Sequence, residues 1–419
     1  MNRGLLKDLD FLYNLHSRGI RLGLENTFKL MEYLGNPHEK IKAIHIAGTN
    51  GKGSTASMIA KILEGTGKKV GLYTSPHLIS FNERIRINGK AIGDEEIQKY
   101  IQQNREHFIN NQVTFFEATT GMAFDYFLKQ KVDIAVVETG LGGRLDSTNV
   151  LNPSLSIITE ISYDHMHILG NTIEKIAMEK AGIIKEQTPI LVADQGAAQL
   201  KVVKSVAIKM HAPIYFTNNT KLTIKELSKN SCCFEYSGSK YVLNQGGSYQ
   251  ASNAITAIEA IKILFKEVDQ KDIERGLRAW FWPGRMQEME KNIYYDVSHN
   301  LSGIQILSQD TINSFKMKPI GILSLKKDKP TQEIINCLKK NFEKIILFCP
   351  KGKGLLEDEE LKKSQYFSDL EQYEKIITCL QAAHRAREYK NQPIVIFGSH
   401  YIAEDVFTHF NFYFDNFEI

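Results

Sequence analysis

The chain has 419 residues, of which 42% are hydrophobic and 24% charged, a composition typical of folded globular proteins that excludes disordered and collagen-like chains. Its 52 basic and 48 acidic residues leave a formal charge of +4, too small a surplus to indicate a nucleic-acid-binding protein. Neither a run of about 18 apolar residues nor an apolar core near the N-terminus occurs, so no membrane association and no secretion are expected. Five cysteines without a CxxC pair predict neither a disulfide framework nor a zinc site, which favours a reducing, cytoplasmic location.

After a helical stretch over residues 1–40, short apolar runs alternate with amphipathic helices. The pattern predicts strands at Ala43–Ala47, Val70–Thr74, Ile134–Glu138, Leu155–Thr159 and Pro189–Val192. It predicts helices over Ser54–Glu64, Thr119–Lys129 and Thr172–Ile184, the last with Asn171 as its N-cap. Alternation of this kind is typical of a parallel sheet covered by helices.

A more polar, alternating stretch over residues 218–243 predicts antiparallel strands at the edge of the first domain, and a helix follows over residues 251–265. The turn at Pro283-Gly284 marks the predicted domain boundary, because Pro and Gly end a helix and begin a turn. Strand-like runs return at Asn292–Val297, Ile320–Leu323, Lys344–Phe348 and Pro393–Phe397. We therefore expect an α/β protein with two domains. A P-loop-type ATPase domain with a mostly parallel sheet, residues 1–285, precedes a smaller Rossmann-like domain, residues 286–419.

The most informative segment is the glycine-rich loop Gly48-Thr49-Asn50-Gly51-Lys52-Gly53-Ser54 between a strand and a helix. Backbone N–H groups in such a loop bind phosphate oxygens together with the helix N-terminus. Lys52 would reach the β and γ phosphates, and the Ser54 hydroxyl would bind Mg²⁺. The strict Walker pattern fails, because Ile46 replaces the first glycine and Gly53 separates Lys52 from the hydroxyl. A plain glycine turn is the alternative, but the agreement of strand, loop and helix favours a nucleotide site.

Two further residues are candidates for a metal centre, and a lysine follows them in the chain. Glu138 ends an apolar strand before a double-glycine loop, at the sheet edge where α/β proteins bind ligands. His165 follows the next strand and stands beside Asp164, although a single histidine is more often structural than a metal ligand. Lys180 lies near a helix C-terminus, where a lysine is ordinarily a favourable surface charge.

These segments, in this order, resemble the folylpolyglutamate synthase and dihydrofolate synthase family of Mur-type amide ligases. The resemblance runs from Leu24 to Phe407 and combines the phosphate loop with several shorter motifs. They are Leu34-Gly35-Asn36-Pro37, Tyr73-Thr74-Ser75-Pro76-His77-Leu78, Asn82-Glu83-Arg84-Ile85, Phe116-Glu117, Asp164-His165, Glu179-Lys180-Ala181-Gly182-Ile183 and Trp282-Pro283-Gly284-Arg285.

The resemblance implies site residues in four groups. Catalysis is assigned to Lys52, Lys180 and His299. ATP binding is assigned to Asn50, Gly51, Lys52, Gly53, Ser54, Asn253, Arg285 and Asp296. Pterin binding is assigned to Ile20, Arg21, Leu22, Arg84, Phe116, Glu117, Asp146 and Ser147. Two Mg²⁺ ions are implied near Ser54, Ser75, Glu138, His165 and Lys180, the lysine being carried as a carbamate.

The implied reaction is ATP-dependent ligation of L-glutamate to dihydropteroate and to the γ-carboxylate of reduced folates, through an acyl phosphate, within folate biosynthesis and one-carbon metabolism. The expected partners are these small molecules alone, bound by a monomer. A monofunctional folylpolyglutamate synthase and a nucleotide-binding switch protein are alternatives. A peptidoglycan-precursor ligase is disfavoured, because only 47 residues precede Gly48, too few for its additional nucleotide-sugar domain.

The chain departs from the family pattern at three places, one of which is Lys327-Asp328-Lys329 in place of the usual Asp-Lys-Asp. The segment Asp296-Val297-Ser298-His299-Asn300 replaces the usual Asp-Gly-Ala-His-Asn. Tyr249 stands before Gln250, where the family usually has histidine.

Overall fold

The computed structural model describes residues 3–15, 23–327, 329, 332–348, 350, 354–356, 373–376, 379–388 and 392–412. The described chain forms two compact units. The first contains the residues up to 220 together with residues 253–280, and the second contains residues 221–252 and those from 281 onward. The predicted domains, residues 1–285 and 286–419, stay a prediction.

An eight-stranded sheet forms the centre of the first unit. Its strands are β1 (Ala43–Ala47), β2 (Val70–Tyr73), β3 (Ile85–Ile87), β4 (Lys90–Ala91), β5 (Ile134–Glu138), β6 (Leu155–Ile158), β7 (Ile190–Val192) and β8 (Ile214–Phe216). They follow the order β4-β3-β2-β5-β1-β6-β7-β8, and all neighbours are parallel except the β2–β3 and β3–β4 pairs. The central strands are buried along their whole length, as expected of a parallel sheet covered on both faces.

Helices cover this sheet. They are α1 (Arg3–Asn14), α2 (Glu25–Tyr33), α3 (Pro37–Lys40), α4 (Lys52–Glu64), α5 (Asp94–Asn110), α6 (Phe115–Lys129), α7 (Met166–Leu169), α8 (Ile173–Ala181), α9 (Ala197–Lys209), α10 (Ser248–Leu264) and α11 (Gln270–Ala279). The division between the units falls within α10. Thr172 caps α8 by accepting a hydrogen bond from the Lys175 N–H, so the prediction of Asn171 as the N-cap is wrong by one residue.

The second unit contains two sheets. An antiparallel sheet in the order β11-β10-β9 consists of β9 (Leu222–Leu227), β10 (Cys232–Tyr236) and β11 (Ser239–Leu243). These strands belong to the second unit, whereas the sequence pattern placed them at the edge of the first.

The other sheet has the order β12-β13-β17-β14-β15-β16 and is parallel except at β12. Its strands are β12 (Gln287–Glu290), β13 (Ile293–Tyr295), β14 (Ile320–Leu323), β15 (Lys344–Phe348), β16 (Tyr373–Ile376) and β17 (Ile394–Phe397). The remaining described helices are α12 (Leu301–Phe315), α13 (Gln332–Asn341), α14 (Cys379–Arg387) and α15 (Ala403–His409). The predicted α/β class with mostly parallel sheets is confirmed. Within the described residues, no helix combines the length and apolarity needed to cross a membrane.

The contact between α4 and α11 generates a stability prediction. A Cβ at Gly276 in α11 would lie 2.6 Å from the Ile62 Cα in α4, so one methyl group forces the two helices apart. Alanine is ordinarily better than glycine inside a helix by about 1 kcal/mol. Because overpacking costs about 1–3 kcal/mol, we expect Gly276→Ala to lower the free energy of unfolding despite that preference.

Urea unfolding followed by circular dichroism measures this free energy. Gly93→Ala is the matched control, because no described atom lies within 4 Å of its Cβ position and its φ of −72° suits any residue. Its effect should stay below about 1 kcal/mol. A Gly276→Ala protein as stable as the parent would contradict the packing described here.

Candidate functional site

The glycine-rich loop joins β1 to α4 and is fastened to the end of β6. Thr49 and Asn50 donate their backbone N–H groups to the Glu160 carbonyl, at 2.7 and 3.3 Å. Gly51 has a φ of +83° and opens α4 without a side-chain cap, so the first N–H groups of the helix remain suited to an anion. A Cβ at Gly48 would overlap the Thr159 hydroxyl, which explains why a glycine is needed at this position.

Lys52 and Glu138 bring opposite charges to this loop. The Lys52 Nζ donates to the Thr49 carbonyl at 3.2 Å and lies 3.7 Å from Glu138 Oε1. Glu138 is buried at the end of β5, and its Oε2 accepts a hydrogen bond from the Ser75 N–H at 3.1 Å. Ser75, Lys52 and Glu138 therefore lie together beside the phosphate loop, as the strand-end argument predicted for the carboxylate.

Buried hydroxyl groups around the loop are left without partners. The side-chain oxygens of Ser54, Thr55 and Thr139 are inaccessible to solvent and have no hydrogen-bond partner among the described residues. A buried polar group without a partner costs about 1–3 kcal/mol. Such groups beside the N-terminus of a helix without a side-chain cap favour a site for a ligand that supplies the missing bonds.

Lys180 lies beneath the loop. Its side chain is 4% exposed, and its Nζ donates to the Gly48 carbonyl at 2.6 Å. Burial, followed by the neighbouring Lys52 cation, lowers the pKa of Lys180 to about 7, while the carboxylates of Asp164, Glu160 and Asp146 oppose that shift. The ordinary expectation of a surface charge at this position is therefore wrong.

The segment after β6 carries His165 to the same edge of the sheet. The Thr49 hydroxyl donates to the Ser162 carbonyl at 3.0 Å and accepts from the Ser162 N–H at 3.1 Å. His165 has a left-handed backbone with φ of +48°, and its N–H donates to Asp164 Oδ1 at 2.8 Å. Its imidazole is 41% exposed, so a ligand could reach it directly.

Asp146 organises the loop that follows β5. Its Oδ1 accepts from the Thr148 N–H at 3.0 Å and the Thr148 hydroxyl at 2.5 Å, and its Oδ2 accepts from the Leu141 N–H at 2.8 Å. Burial raises the pKa of Asp146, and these hydrogen bonds, with one from the Gly140 N–H, oppose the rise. Ser147 begins a short helical turn over residues 147–150.

The same loop is attached to the helix that carries Lys180. The Arg144 guanidinium binds Glu179 through two N–H groups, at 2.8 and 3.1 Å. The Asn149 amide donates to the carbonyls of Arg144 and Gly182, at 2.9 and 3.0 Å. The loop over residues 139–149 and the end of α8 therefore form one connected surface.

Arg84 lies among aromatic side chains. Its Nε donates to His77 Nδ1 at 2.7 Å, and its guanidinium carbon lies 5.2 Å from the Phe115 ring centre. Burial lowers the pKa of Arg84, but an arginine remains cationic. Its buried Nη1 has no hydrogen-bond partner in the described chain, so this nitrogen is suited to an acceptor on a ligand. The Phe116 ring packs edge-on against the Phe115 ring, with the ring centres 5.3 Å apart.

Glu117 has a structural role that the family resemblance did not reveal. Its carboxylate accepts from the Thr114 N–H at 2.6 Å, and its N–H donates to the Thr114 hydroxyl at 3.4 Å. This capping box fixes the start of α6, where Phe115 and Phe116 lie. Its predicted contact with the pterin stays a prediction, as do those of Ile20, Arg21 and Leu22, which lie outside the described residues.

The remaining predicted ATP contacts divide between the two units. In the first unit, a Cβ at Gly51 would overlap the Asn253 amide oxygen, so Asn253 lies against the phosphate loop. In the second unit, the Asp296 carboxylate accepts from four donors. They are the Tyr249 hydroxyl at 2.7 Å, the Met286 N–H at 2.9 Å, the Ser298 N–H at 2.8 Å and the Ser298 hydroxyl at 2.5 Å.

Tyr249 and Ser298, two of the residues that depart from the family pattern, thus supply hydroxyl donors to Asp296. His299 follows, with its Nδ1 2.9 Å from the Val297 carbonyl and its ring 5.7 Å from that of His400. Arg285 donates from Nη1 to the Gly284 carbonyl at 3.2 Å. Asp296 therefore orders the turn that presents His299.

Glu160 is a candidate site residue that was not identified from the sequence. Its Oε2 accepts from the Asn50 amide at 2.7 Å, and its carbonyl holds the loop. It follows β6 as Glu138 ends β5, so the strand-end rule could have found it. Within the described part of the chain, no three His, Cys, Asp or Glu side chains form a metal-binding group by themselves. The predicted metal centre combines Glu138 and His165 with Ser54, Ser75 and Lys180.

A family model and a curated relative both match this chain. Residues 46–261 match the Mur ligase middle domain family. The chain is 35% identical to the dihydrofolate synthase/folylpolyglutamate synthase of Bacillus subtilis (strain 168), covering 94% of this chain and 96% of that protein.

Two solved structures are also similar. A Mycobacterium tuberculosis folylpolyglutamate synthase complexed with ADP and AMPPCP has a TM-score of 0.87 and 28% identity, covering 97% of this chain and 99% of the other. An FPGS–AMPPCP–folate complex has a TM-score of 0.81 and 30% identity, covering 96% of this chain and 99% of the other.

Burial of Lys180 generates a pH prediction. Between the lowered pKa of about 7 and the usual value of 10.5, the unfolded chain binds a proton at this amine that the folded protein does not. Raising the pH through this window therefore stabilises the fold. Lys180→Met removes the amine and with it the free-energy cost of burying this group at neutral pH. We therefore expect the variant to be more stable than the parent at pH 7. The difference should narrow by about 1 kcal/mol per pH unit towards pH 9.

Urea unfolding in CO₂-free buffers at several pH values measures the difference. Lys201→Met, at an exposed lysine of α9, is the matched control, and its stability difference from the parent should not follow pH. A Lys180→Met difference that is constant from pH 7 to pH 9 would show that the amine is not buried as described.

Proposed function

The chain belongs to the family of dihydrofolate and folylpolyglutamate synthases among the Mur-type ligases, and from this premise we propose that it joins L-glutamate to dihydropteroate and to the γ-carboxylate of reduced folates. ATP is the co-substrate of this ATP-dependent ligase, and ADP and phosphate are the products. The observation that carries the proposal is the phosphate loop, with Lys52 facing Glu138 and Lys180 bound to the Gly48 carbonyl.

The proposed chemistry has two steps. The γ-phosphoryl group of ATP moves to the pterin-bearing carboxylate and gives an acyl phosphate. The amine of glutamate, after losing a proton, attacks the acyl carbon, and the tetrahedral intermediate releases phosphate. Lys52 and the N–H groups of the loop stabilise charge on the transferring phosphoryl group, a mainly electrostatic and positional task.

Magnesium fits the donor set beside the loop. The buried Ser54 hydroxyl lacks a partner among the described residues, and an oxygen ligand of this kind suits a hard cation. Ser54, Ser75, Glu138 and His165 would hold one ion, and Lys180 as a carbamate would support a second. Bound there, Mg²⁺ would neutralise charge on the phosphate oxygens.

A carbamate fits the surroundings of Lys180. A neutral amine attacks CO₂, and the product loses one proton to give an N–H group and a carboxylate. The retained N–H can still donate to the Gly48 carbonyl, as the amine does. The new negative charge also replaces a cation next to Lys52 by an anion, which makes the pair attractive.

The proposed contacts with the pterin-bearing substrate begin at Arg84. Arg84, with its unpartnered Nη1 and the neighbouring Phe115 ring, provides a cationic and aromatic surface for the pterin-bearing substrate. We assign Phe116, Glu117, Asp146, Ser147 and the segment Ile20-Arg21-Leu22 to the same substrate.

The remaining roles concern ATP and glutamate. We assign Asn50, Gly51, Gly53, Asn253 and Arg285 to ATP. The four donors on Asp296 favour a role in ordering its turn, and we assign His299 to the glutamate and phosphate.

Phosphate release from ATP tests the function directly. With Mg²⁺ and L-glutamate present, we expect release with dihydropteroate and with tetrahydrofolate, and little release without a pterin. Lys180→Ala should reduce both pterin-dependent rates by at least tenfold, because the residue lies at the loop. Lys201→Ala, at an exposed position, is the matched control.

The outcomes separate the alternatives. Release with tetrahydrofolate alone would overturn the bifunctional assignment and leave chain extension only. Turnover that is independent of the pterin and unaffected by Lys180→Ala would contradict the ligase and favour a nucleotide-binding switch.

The carbamate has its own test. In ¹³C-bicarbonate, the parent protein should give a carbamate carbon resonance that is absent from Lys180→Met and present in Lys201→Met. Ligase activity should fall in CO₂-free buffer and recover on addition of bicarbonate. An unchanged resonance in Lys180→Met would place the modification elsewhere, and its absence from all three proteins would refute it.

A further inference from the structure

His45 is a buried polar residue in the middle of the central strand. It lies in β1, three residues before Gly48, and its side chain is completely buried. Its neighbours in register are Val137 on β5 and Ser156 on β6. The His45 Nε2 lies 2.8 Å from the Thr148 hydroxyl oxygen, while Nδ1 has no hydrogen-bond partner within the described structure.

The direction of the hydrogen bonds follows from counting protons. The Thr148 hydroxyl has one proton, and the 2.5 Å contact to Asp146 Oδ1 takes it, because an ionised carboxylate can only accept. The hydroxyl oxygen must then accept from His45, which fixes the tautomer that carries its proton on Nε2. Burial lowers the pKa of His45 to about 3, which agrees with a neutral ring.

This chain of bonds ends at the loop beside the site. Asp146 receives the Leu141 N–H, and a Cβ at Gly140 would lie 3.3 Å from Asp146 Oδ2 and 3.6 Å from the Ser75 hydroxyl. The orientation of the Asp146 carboxylate therefore sets the path of the backbone next to Ser75. Thr148 connects His45 in β1 to that carboxylate through its hydroxyl group.

The unpartnered Nδ1 makes a role in stability alone an unsatisfactory explanation. Burying it without a partner costs about 1–3 kcal/mol, a penalty that an apolar side chain in this strand would avoid. The compensating feature is the Nε2–H bond, which keeps the Thr148 hydroxyl pointed at Asp146.

We propose that His45 is a positioning residue for the substrate: through Thr148 it orients Asp146 and so fixes the loop over residues 139–149 against the strand that leads into the phosphate loop. The inference rests on the proposed function, because it assigns the pterin to the surface around Asp146. It predicts that loss of the His45–Thr148 bond weakens binding of the pterin substrate and leaves ATP binding nearly unchanged.

Four variants test this proposal with matched pairs. His45→Met removes the donor at similar size, whereas His45→Gln retains an amide N–H. Thr148→Val removes the hydroxyl, whereas Thr148→Ser retains it. We expect the first member of each pair to raise the KM for dihydropteroate about tenfold, with the KM for ATP within about twofold of the parent. The second member should restore the pterin KM to within about threefold.

Hydrogen exchange of the ligand-free proteins gives a readout that does not depend on activity. The amides of residues 139–149 should exchange faster in His45→Met and Thr148→Val, and those of α4 and α9 should not. The double variant His45→Met/Thr148→Val should be no worse than Thr148→Val alone, because Thr148→Val already removes the hydroxyl through which His45 acts.

The possible failures are distinguishable. If the parent shows no pterin-dependent release, the proposed function fails, and the exchange data alone decide whether His45 holds the loop. Equal rises in both KM values, or unchanged exchange in residues 139–149 of both bond-breaking variants, would overturn the positioning role. Failure of His45→Gln and Thr148→Ser to restore the parent values would also overturn it.

Discussion

The bond from the Lys180 amine to the Gly48 carbonyl is the constraint on which the rest of the site depends. It joins the end of α8 to the first glycine of the phosphate loop, 132 residues earlier in the chain. Because the amine is buried, it needs either that acceptor or a change in its charge. The carboxylates of Asp164, Glu160 and Asp146 favour a cation at this position, whereas the Lys52 cation disfavours one.

Near this bond, the chain segments at the carboxyl ends of three parallel strands meet at one edge of the sheet. The phosphate loop follows β1, Glu138 ends β5, and the segment with His165 follows β6. Hydrogen bonds fix their relative positions. The Glu160 carbonyl accepts from the N–H groups of Thr49 and Asn50, and the Ser75 N–H, which follows β2, donates to Glu138. The buried hydroxyl of Ser54 has no partner among the described residues, which favours a ligand at this edge.

The sequence predicted the parts of this arrangement that are encoded locally. Strand boundaries near β1, β5, β14 and β15 followed from apolar runs, and the glycine spacing identified the phosphate loop. Lys180 looked like a surface charge, because helical spacing cannot reveal a partner 132 residues away. His45 was missed for the same reason, since Thr148 lies 103 residues further along the chain. The family resemblance named Asp296 and Glu117 but could not reveal that one accepts four hydrogen bonds and the other caps a helix.

The loops around Asp146 and Asp296 share a local pattern with an evolutionary consequence. In each, an aspartate Oδ1 binds both the N–H and the hydroxyl of the residue two positions later, Thr148 or Ser298. The bonds join the first and third residues, so the middle side chain, Ser147 or Val297, takes no part in them. Each turn therefore leaves one position open to variation without loss of the turn itself. Substitutions at such a position can change the surface of the loop while its shape is inherited intact.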